Sequence, residues 1–583
     1  MRALIARLRP LIARYRGGLT WGLACVALTD IIGLLQPQVL RFAVDDLYRG
    51  VTAEKLGRYA LILFAIAVVA AVFKFWMRQA VIGISRHIEY DLRNELFEHL
   101  QTLPPEYYQR TRTGEIMSRA TNDVGAVRMM LGPGLMYLVN TLVVAVVSIG
   151  FMLAISPRLT LLALVPLPFV SLSVWLAGGR IHRRFEAIQA HFATISARVQ
   201  ESLAGVRVVR AFAREAGELD DFRALNQEYL RRNQEIIGTS AFLNASLGFL
   251  GGLAALLALY LGGRQVVAGH ITLGEFVAFT VYLGLLNWPM IALGWVVNLF
   301  QRGAASFARL SAILDERPSI VSPPPAAVRR PREIRGAIVF RGLTFAYPGA
   351  ARPALRALSL EVPAGTTVAI VGRTGAGKST LLALPPRLFD PPAGTVLLDG
   401  VDVRDWDLAT LRQTIAAAPQ DPFLFSATLA ENIAYGVAAA PEGEIARVTA
   451  VAGLASDVRG FPAGLGTRVG ERGITLSGGQ KQRTTIARAV LRDAPVLLLD
   501  DCLSSVDTQT EEIILRALRG EMARRTTLIV SHRVSTVRGA DLIVVLDDGA
   551  IVERGTHDDL LARGGRYAEL ARAQQLEEEL EAS

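Results

Sequence analysis

The distribution of apolar residues divides the chain near position 300. Upstream, apolar stretches recur at lengths close to the roughly 20 residues a helix needs to cross a hydrocarbon core. Spans are predicted at about 18–43, 57–79, 240–264 and 273–300. An apolar block from Gly134 to Gly179 is too long for one helix, and Ser156-Pro157-Arg158 punctuates it. It reads as two further spans joined by a tight turn. Two long polar, helix-favouring stretches interrupt this part, one after the second span and one at about 180–238. Downstream of 300 the pattern is that of a soluble domain.

Six crossings return the chain to the side on which it began. Arg180, Arg183 and Arg184 flank the apolar block, and the positive-inside rule places such arginines, and with them the soluble domain, in the cytoplasm. The segment with Asp45, Asp46 and Arg49 has little net positive charge and is expected outside. Residues 1–16 alternate Arg2, Arg7, Arg9, Arg14 and Arg16 with leucine and isoleucine, without a small-residue cleavage site. They read as an amphipathic helix at the cytoplasmic surface, leading into an uncleaved anchor. A membrane domain at 17–310 follows. Residues 311–335, rich in proline and arginine, are expected to be an unpacked linker, with a soluble domain at 336–567. The tail, 568–583, spaces Leu570, Leu576 and Leu580 helically on an acidic segment expected to pair with a partner's C-terminus or to stand solvated.

Composition agrees with two unlike parts: of 583 residues 51% are hydrophobic, with a mean hydropathy of +0.34. Membrane topology accounts for the net charge of +9, so no nucleic-acid partner is expected. Cys25 lies in the first span and Cys502 in the soluble part, which leaves neither a disulfide nor a zinc site. Lysine is confined to Lys55, Lys74, Lys378 and Lys481. Any lysine that remains needs a reason.

Lys378 has one. After the β-type run TTVAIV comes GRTGAGKS, comprising Gly372, Arg373, Thr374, Gly375, Ala376, Gly377, Lys378 and Ser379, with Thr380 opening a helix-like segment. This is a P-loop in its strand–loop–helix context. The glycines let backbone N–H groups approach phosphate oxygens, Lys378 reaches the β- and γ-phosphates, and the Ser379 hydroxyl is a Mg²⁺ ligand. A second strand, VLLLD, ends in Asp500, which would hold the same ion through its water shell. ATP and Mg²⁺ are the expected cofactors.

LSGGQ lies between these motifs, with Ser477, Gly478, Gly479 and Gln480, and here the chain resembles the ABC ATPase family. The resemblance covers essentially the whole soluble domain. It implies that Tyr347 stacks on adenine, that Gln420 senses magnesium and faces the membrane domain, and that TRVGERG (467–473) is the exporter-type segment before the signature. Asp507, in SSVD, would signal between two sites, and His532 would contact the γ-phosphate. In the family two such domains pack head to tail, so that each ATP lies between one P-loop and the partner's signature. Six spans followed by the ATPase on one chain look like an exporter half. The implied fold class is a membrane α-helical domain plus an α/β P-loop ABC ATPase domain, working with a second half-transporter in a lipid membrane to move a solute. The stretches at 107–124 and 200–215 are similar to exporter coupling loops, expected to lay short helices on the ATPase surface near Gln420.

The chain departs from the family pattern at one position. The family's hydrolytic glutamate directly follows the Asp500 equivalent, and this chain has Asp501 there. A carboxylate one methylene shorter retreats by about an ångström, a misplacement worth on the order of 10²-fold. One reading is the degenerate half of a heterodimer, whose LSGGQ completes the partner's site; others are a slow homodimer and a nucleotide-gated channel or regulatory subunit. Within the spans, Asp30, Lys74 and Arg78 are ionisable and are candidate substrate contacts. An interhelical hydrogen bond for Asp30, and snorkelling for Lys74 and Arg78, are the structural alternatives.

Overall fold

The computed structural model describes residues 2–50, 52–470, 473 and 475–582, without the side chains of 2–6, 167, 171, 175, 182, 290, 291, 508 and 577–582. The chain forms two compact units: Met1–Gln101 with Thr113–Asp315, and Thr102–Arg112 with Glu316–Ser583.

The first unit is helical, and six of its helical segments are long and apolar enough to cross a membrane: TM1 (Arg16–Arg49), TM2 (Ala53–Thr102), TM3 (Thr113–Ile155), TM4 (Pro157–Ala204), TM5 (Glu215–Val267) and TM6 (Leu273–Leu314). Most are far longer than the spans expected from hydropathy, because the polar stretches continue the same helices beyond the apolar windows. TM2 buries only 6% of its most apolar window and turns Leu61, Phe64, Val72, Phe75 and Trp76 outward, as a lipid-facing helix does.

TM1 is broken where Pro37 removes a helical donor. The Gln38 N–H turns to Leu35, and the freed Leu34 carbonyl accepts the Tyr282 hydroxyl of TM6 at 2.8 Å. The polar segment with Asp45, Asp46 and Arg49 is the last turn of this helix, extending to Arg49. Asp45 there accepts the Thr272 hydroxyl and the Gly274 N–H, both at 2.7 Å, and so caps the start of TM6. A Cβ at Gly274 would lie 2.0 Å from the Arg41 carbonyl, so this junction closes only around glycine. The turn between TM3 and TM4 is as short as expected: the Ser156 side chain caps the helix that Pro157 opens, accepting from the Leu159 N–H.

TM3 carries two π-helical turns, Arg119–Asp123 and Met130–Gly134. The first presents the buried Asp123 to Arg309 of TM6, which donates to both carboxylate oxygens at 2.9 and 2.5 Å. Arg309 also donates to Ser306 at 3.0 Å.

The second unit is an α/β domain with two sheets. One runs in the order β2 (Leu355–Val362), β1 (Ile338–Phe345), β4 (Val396–Leu398), β5 (Val401–Asp402) and is antiparallel. The other runs β10 (Ala550–Gly555), β9 (Leu542–Asp547), β3 (Thr367–Gly372), β8 (Thr526–Val530), β7 (Val496–Asp500), β6 (Ile415–Ala418), and is parallel from β9 to β6. Its central parallel strands read as near-continuous apolar runs because both faces are covered, every residue of β3 and β8 being buried. Residues 316–335 are pinned to this domain. Ile320 is buried, the Ser322 hydroxyl accepts the Leu408 N–H at 2.9 Å, and the Arg329 N–H donates to the Asp405 carbonyl at 2.8 Å. An unpacked linker was the expectation; side-chain and backbone hydrogen bonds hold the segment in place, with one short 3-10 turn at Pro325–Ala327.

Candidate nucleotide site

β3, β7 and β8 lie side by side in the parallel sheet, so their C-terminal ends share one edge, where ligands of open α/β sheets bind. β3 ends in Gly372, at φ 153°, where a Cβ would come within 2.1 Å of the Leu546 carbonyl. Gly377 sits at φ 97° with its would-be Cβ 2.6 Å from the Ala354 carbonyl. These two glycines are required by close backbone approach as well as by torsion. Between them, Arg373, Thr374 and Gly375 are exposed and Ala376 is buried. Lys378 is buried and its Nζ donates to the carbonyls of Gly372 and Arg373 at 2.7 and 2.9 Å. Burial lowers its pKa, against the opposing pull of Asp501 and Asp500.

A cavity of about 280 Å³ collects the predicted groups: Tyr347, Thr374, Gly375, Gly377, Lys378, Ser379, Thr380, Gln420, Asp500, Asp501 and His532 all line it. Burial raises the Asp500 pKa, and the Ser379 hydroxyl bonded to the carboxylate opposes the rise. Asp500 Oδ1 is nevertheless buried without a hydrogen-bond partner. A magnesium ion suits these residues, since a carboxylate oxygen left unpaired beside a serine hydroxyl is a donor set for a hard cation. Tyr347 packs edge-on against Phe345 and Phe389, with its hydroxyl 3.0 Å from Thr380 Oγ1. Asp501 is buried and adopts φ 44°, its N–H held by the Val530 carbonyl at 3.0 Å. Lys378→Ala is expected to weaken ATP binding about 10–10²-fold, the worth of one or two charge-assisted hydrogen bonds, as read by nucleotide titration of the full-length protein.

The signature residues Ser477, Gly478, Gly479 and Gln480 are not among the residues that line this cavity. They open the helix Gly478–Leu491 through a capping box: Ser477 Oγ accepts the Gln480 N–H at 3.2 Å, and Gln480 Oε1 accepts the Ser477 N–H at 3.0 Å. Gln480 Nε2 also donates to Asp457 at 2.8 Å. Asp507 caps the helix Thr508–Met522 by accepting the Thr510 N–H, which holds its carboxyl below the usual range. Of the segment before the signature, Thr467 and Val469 bond to Leu429 and Ala427, whereas Glu471 and Arg472 lie outside the described residues.

Reasoning from the sequence missed the residue that joins signature to the Asp507 loop. Gln482, buried two positions past LSGGQ, donates to the Ser504 hydroxyl at 2.9 Å and accepts the Ser505 N–H at 2.9 Å. A glutamine on the inward face of a helix was the only available signal.

Comparison with known proteins covers both units. The family model described as the ABC transporter transmembrane region matches residues 19–290, and the one described as ABC transporter matches 355–504. The chain belongs to the ABC transporter family. It is a half-transporter, with a six-helix membrane domain and an ABC ATPase domain in one polypeptide. Relatives include a probable multidrug resistance ABC transporter ATP-binding/permease protein of Bacillus subtilis, 39% identical over 94% of this chain and 93% of its own length. The multidrug resistance-like ATP-binding protein MdlA of Escherichia coli is 38% identical over 96% and 95%. An ATP-dependent lipid A-core flippase of Aromatoleum aromaticum is 38% identical over 85% and 82%. A solved bacterial Atm1-family ABC exporter with ATP bound superposes with a TM-score of 0.76 at 28% identity, covering 98% of this transporter and 99% of that chain.

The three intramembrane candidates part ways in this transporter. Asp30 is half-buried and accepts from Asn140 Nδ2 at 2.7 Å, the interhelical hydrogen bond, while its Oδ2 is buried without a partner. Lys74 and Arg78 are exposed on TM2. The coupling stretches also differ from each other. The short helix Pro105–Arg110 belongs to the ATPase unit, where Arg110 pairs with Glu316, whereas Val206–Ala211 belongs to the membrane unit and has no buried residue. Both stretches were expected to lay short helices on the ATPase surface near Gln420.

Proposed function

We propose that this chain is one half of a heterodimeric, ATP-driven exporter of amphipathic solutes in the cytoplasmic membrane of a bacterium, and that its own P-loop site holds ATP while turning it over slowly. The observation that carries this reading is Asp501 at the hydrolytic position beside an unaltered P-loop and signature. Lys378 and the loop amides would hold the phosphates, with Tyr347 against the base. Asp500 and Ser379, joined by Gln420, would hold Mg²⁺, which when bound neutralises phosphate charge. Asp501 would polarise the attacking water from too far back, and His532 would contact the γ-phosphate. Ser477–Gln480 would complete the partner's site. Relatives named for multidrug resistance and for lipid flipping support amphipathic cargo.

The test is purification from the native host followed by reconstitution. A second, different half-transporter should copurify, and the pair should move a solute against its gradient only with ATP. Recovery of this chain alone as an active dimer would favour the slow homodimer, and nucleotide-dependent flow only down a gradient would favour a channel.

Coupling carries its own prediction. Val206 opens the exposed helix Val206–Ala211. Val206→Glu is expected to abolish transport while leaving ATP binding intact. Equal loss of both, measured on the same preparation, would remove the coupling role.

A further inference from the structure

The C-terminal helix, Arg566–Ala582, is fixed to the ATPase domain at its start. Tyr567 and Ala568 are buried, and Glu553 accepts the backbone N–H groups of Arg566 and Tyr567 at 2.6 and 3.1 Å. Two turns on, the helix meets the segment that carries His532. The Gln574 side-chain amide spans that segment: its Oε1 accepts the Val534 N–H at 2.8 Å and its Nε2 donates to the His532 carbonyl. Val534 begins a single short helix, so its N–H is one of the donors that a helix start leaves without an internal partner. One planar amide thus fixes both peptide groups that bracket Arg533.

From its other side the segment is held by Arg533, which donates to the Val506 carbonyl at 3.1 Å and pairs with the buried Glu511. The same C-terminal helix also faces the P-loop. Glu569, Leu570 and Ala573 line a cavity of about 230 Å³ whose opposite wall includes Gly372 and Arg373.

We propose that Gln574 is a positioning residue for nucleotide discrimination. By clamping the His532 peptide it fixes the reach of the imidazole into the nucleotide cavity, and so sets the preference of this chain's P-loop for ATP over ADP. The proposal rests on the reading of His532 as the γ-phosphate contact.

The test measures ATP and ADP affinities of the full-length transporter in its native assembly. Gln574→Ala removes both hydrogen bonds and is expected to weaken ATP binding about five- to tenfold while leaving ADP unchanged. Gln574→Glu keeps the acceptor for Val534 but sets a carboxylate against the His532 carbonyl, and should give an intermediate loss. On a His532→Ala background Gln574→Ala should add nothing, because both act through one imidazole. Arg572→Ala, on an exposed position of the same helix, should change neither affinity.

If His532→Ala itself leaves the ATP to ADP ratio unchanged, the histidine reading fails and the proposal with it. If His532→Ala lowers the ratio and Gln574→Ala does not, only the proposal fails. Parallel loss of ATP and ADP binding with a lowered Tm would make Gln574 a purely structural residue, which also overturns it.

Discussion

Gly478→Asp is expected to reduce the ATPase activity of the assembled transporter by about 10²-fold or more, while this chain continues to bind ATP at its own P-loop. The position isolates the effect. A Cβ at Gly478 meets only the Ser505 side chain, at 3.5 Å, which is ordinary contact, whereas one at Gly479 would lie 2.9 Å from the Ser505 carbonyl and push on the Asp507 loop. An aspartate in the first turn of the helix Gly478–Leu491 also favours that helix, since carboxylates are stabilised near a helix N-terminus. Melting temperature should therefore hold or rise, and under the proposed function lost activity would report an anion set against phosphates bound by a partner. Asp501→Ala is the companion measurement. In a heterodimer whose competent site is the partner's, it should cost little. Comparable, severe losses from Gly478→Asp and Asp501→Ala in folded, ATP-binding protein would overturn the heterodimer and favour a homodimer in which every site carries both changes.

Asp501→Glu should act in the opposite direction. Restoring the longer carboxylate is expected to raise turnover at this chain's own P-loop by about 10- to 10²-fold, read as phosphate release in an assembly whose partner carboxylate has been neutralised. The backbone opposes the gain. Asp501 lies at φ 44°, in the left-handed region that aspartate tolerates better than most residues with a Cβ. The glutamate variant should consequently melt at a somewhat lower temperature even as it hydrolyses faster. No rise in turnover, with ATP still bound, would mean that something other than carboxylate reach limits this site.

The nucleotide chemistry was legible because each motif is contiguous and fixed to the end of a strand. Gly372 to Thr380, Asp500 and His532 lie at or just past the ends of β3, β7 and β8, and the parallel order of those strands brings most of them to one cavity without further instruction. The six spans were legible for an equally local reason, the length of an apolar run. What depends on distant residues was not. Pro37 signals a break in TM1, but nothing nearby in sequence says that Tyr282 will satisfy the carbonyl it frees. Residues 316–335 look unstructured by composition, and their order comes from Asp405, Asp407 and Leu408. The pairing of Gln574 with His532 spans 42 positions and leaves no periodicity to read. Of the leucine pattern in the tail, Leu576 is exposed, and the side chain of Leu580 is outside those described.

The two π-turns of TM3 carry a consequence for engineering. A π-turn is what a helix becomes when it accommodates one extra residue without unwinding. Removing one residue between Arg119 and Asp123 would restore regular winding and leave the helix before and after in phase, whereas the same deletion in a regular stretch of TM3 would rotate everything beyond it by about 100°. The cost at the first turn would be local, a shift of the buried Asp123 against Arg309. Single-residue deletions should therefore be tolerated better within Arg119–Asp123 and Met130–Gly134 than in the regular turns around them. A deletion scan through TM3 scored by membrane expression would show this as two tolerant windows in an otherwise intolerant helix.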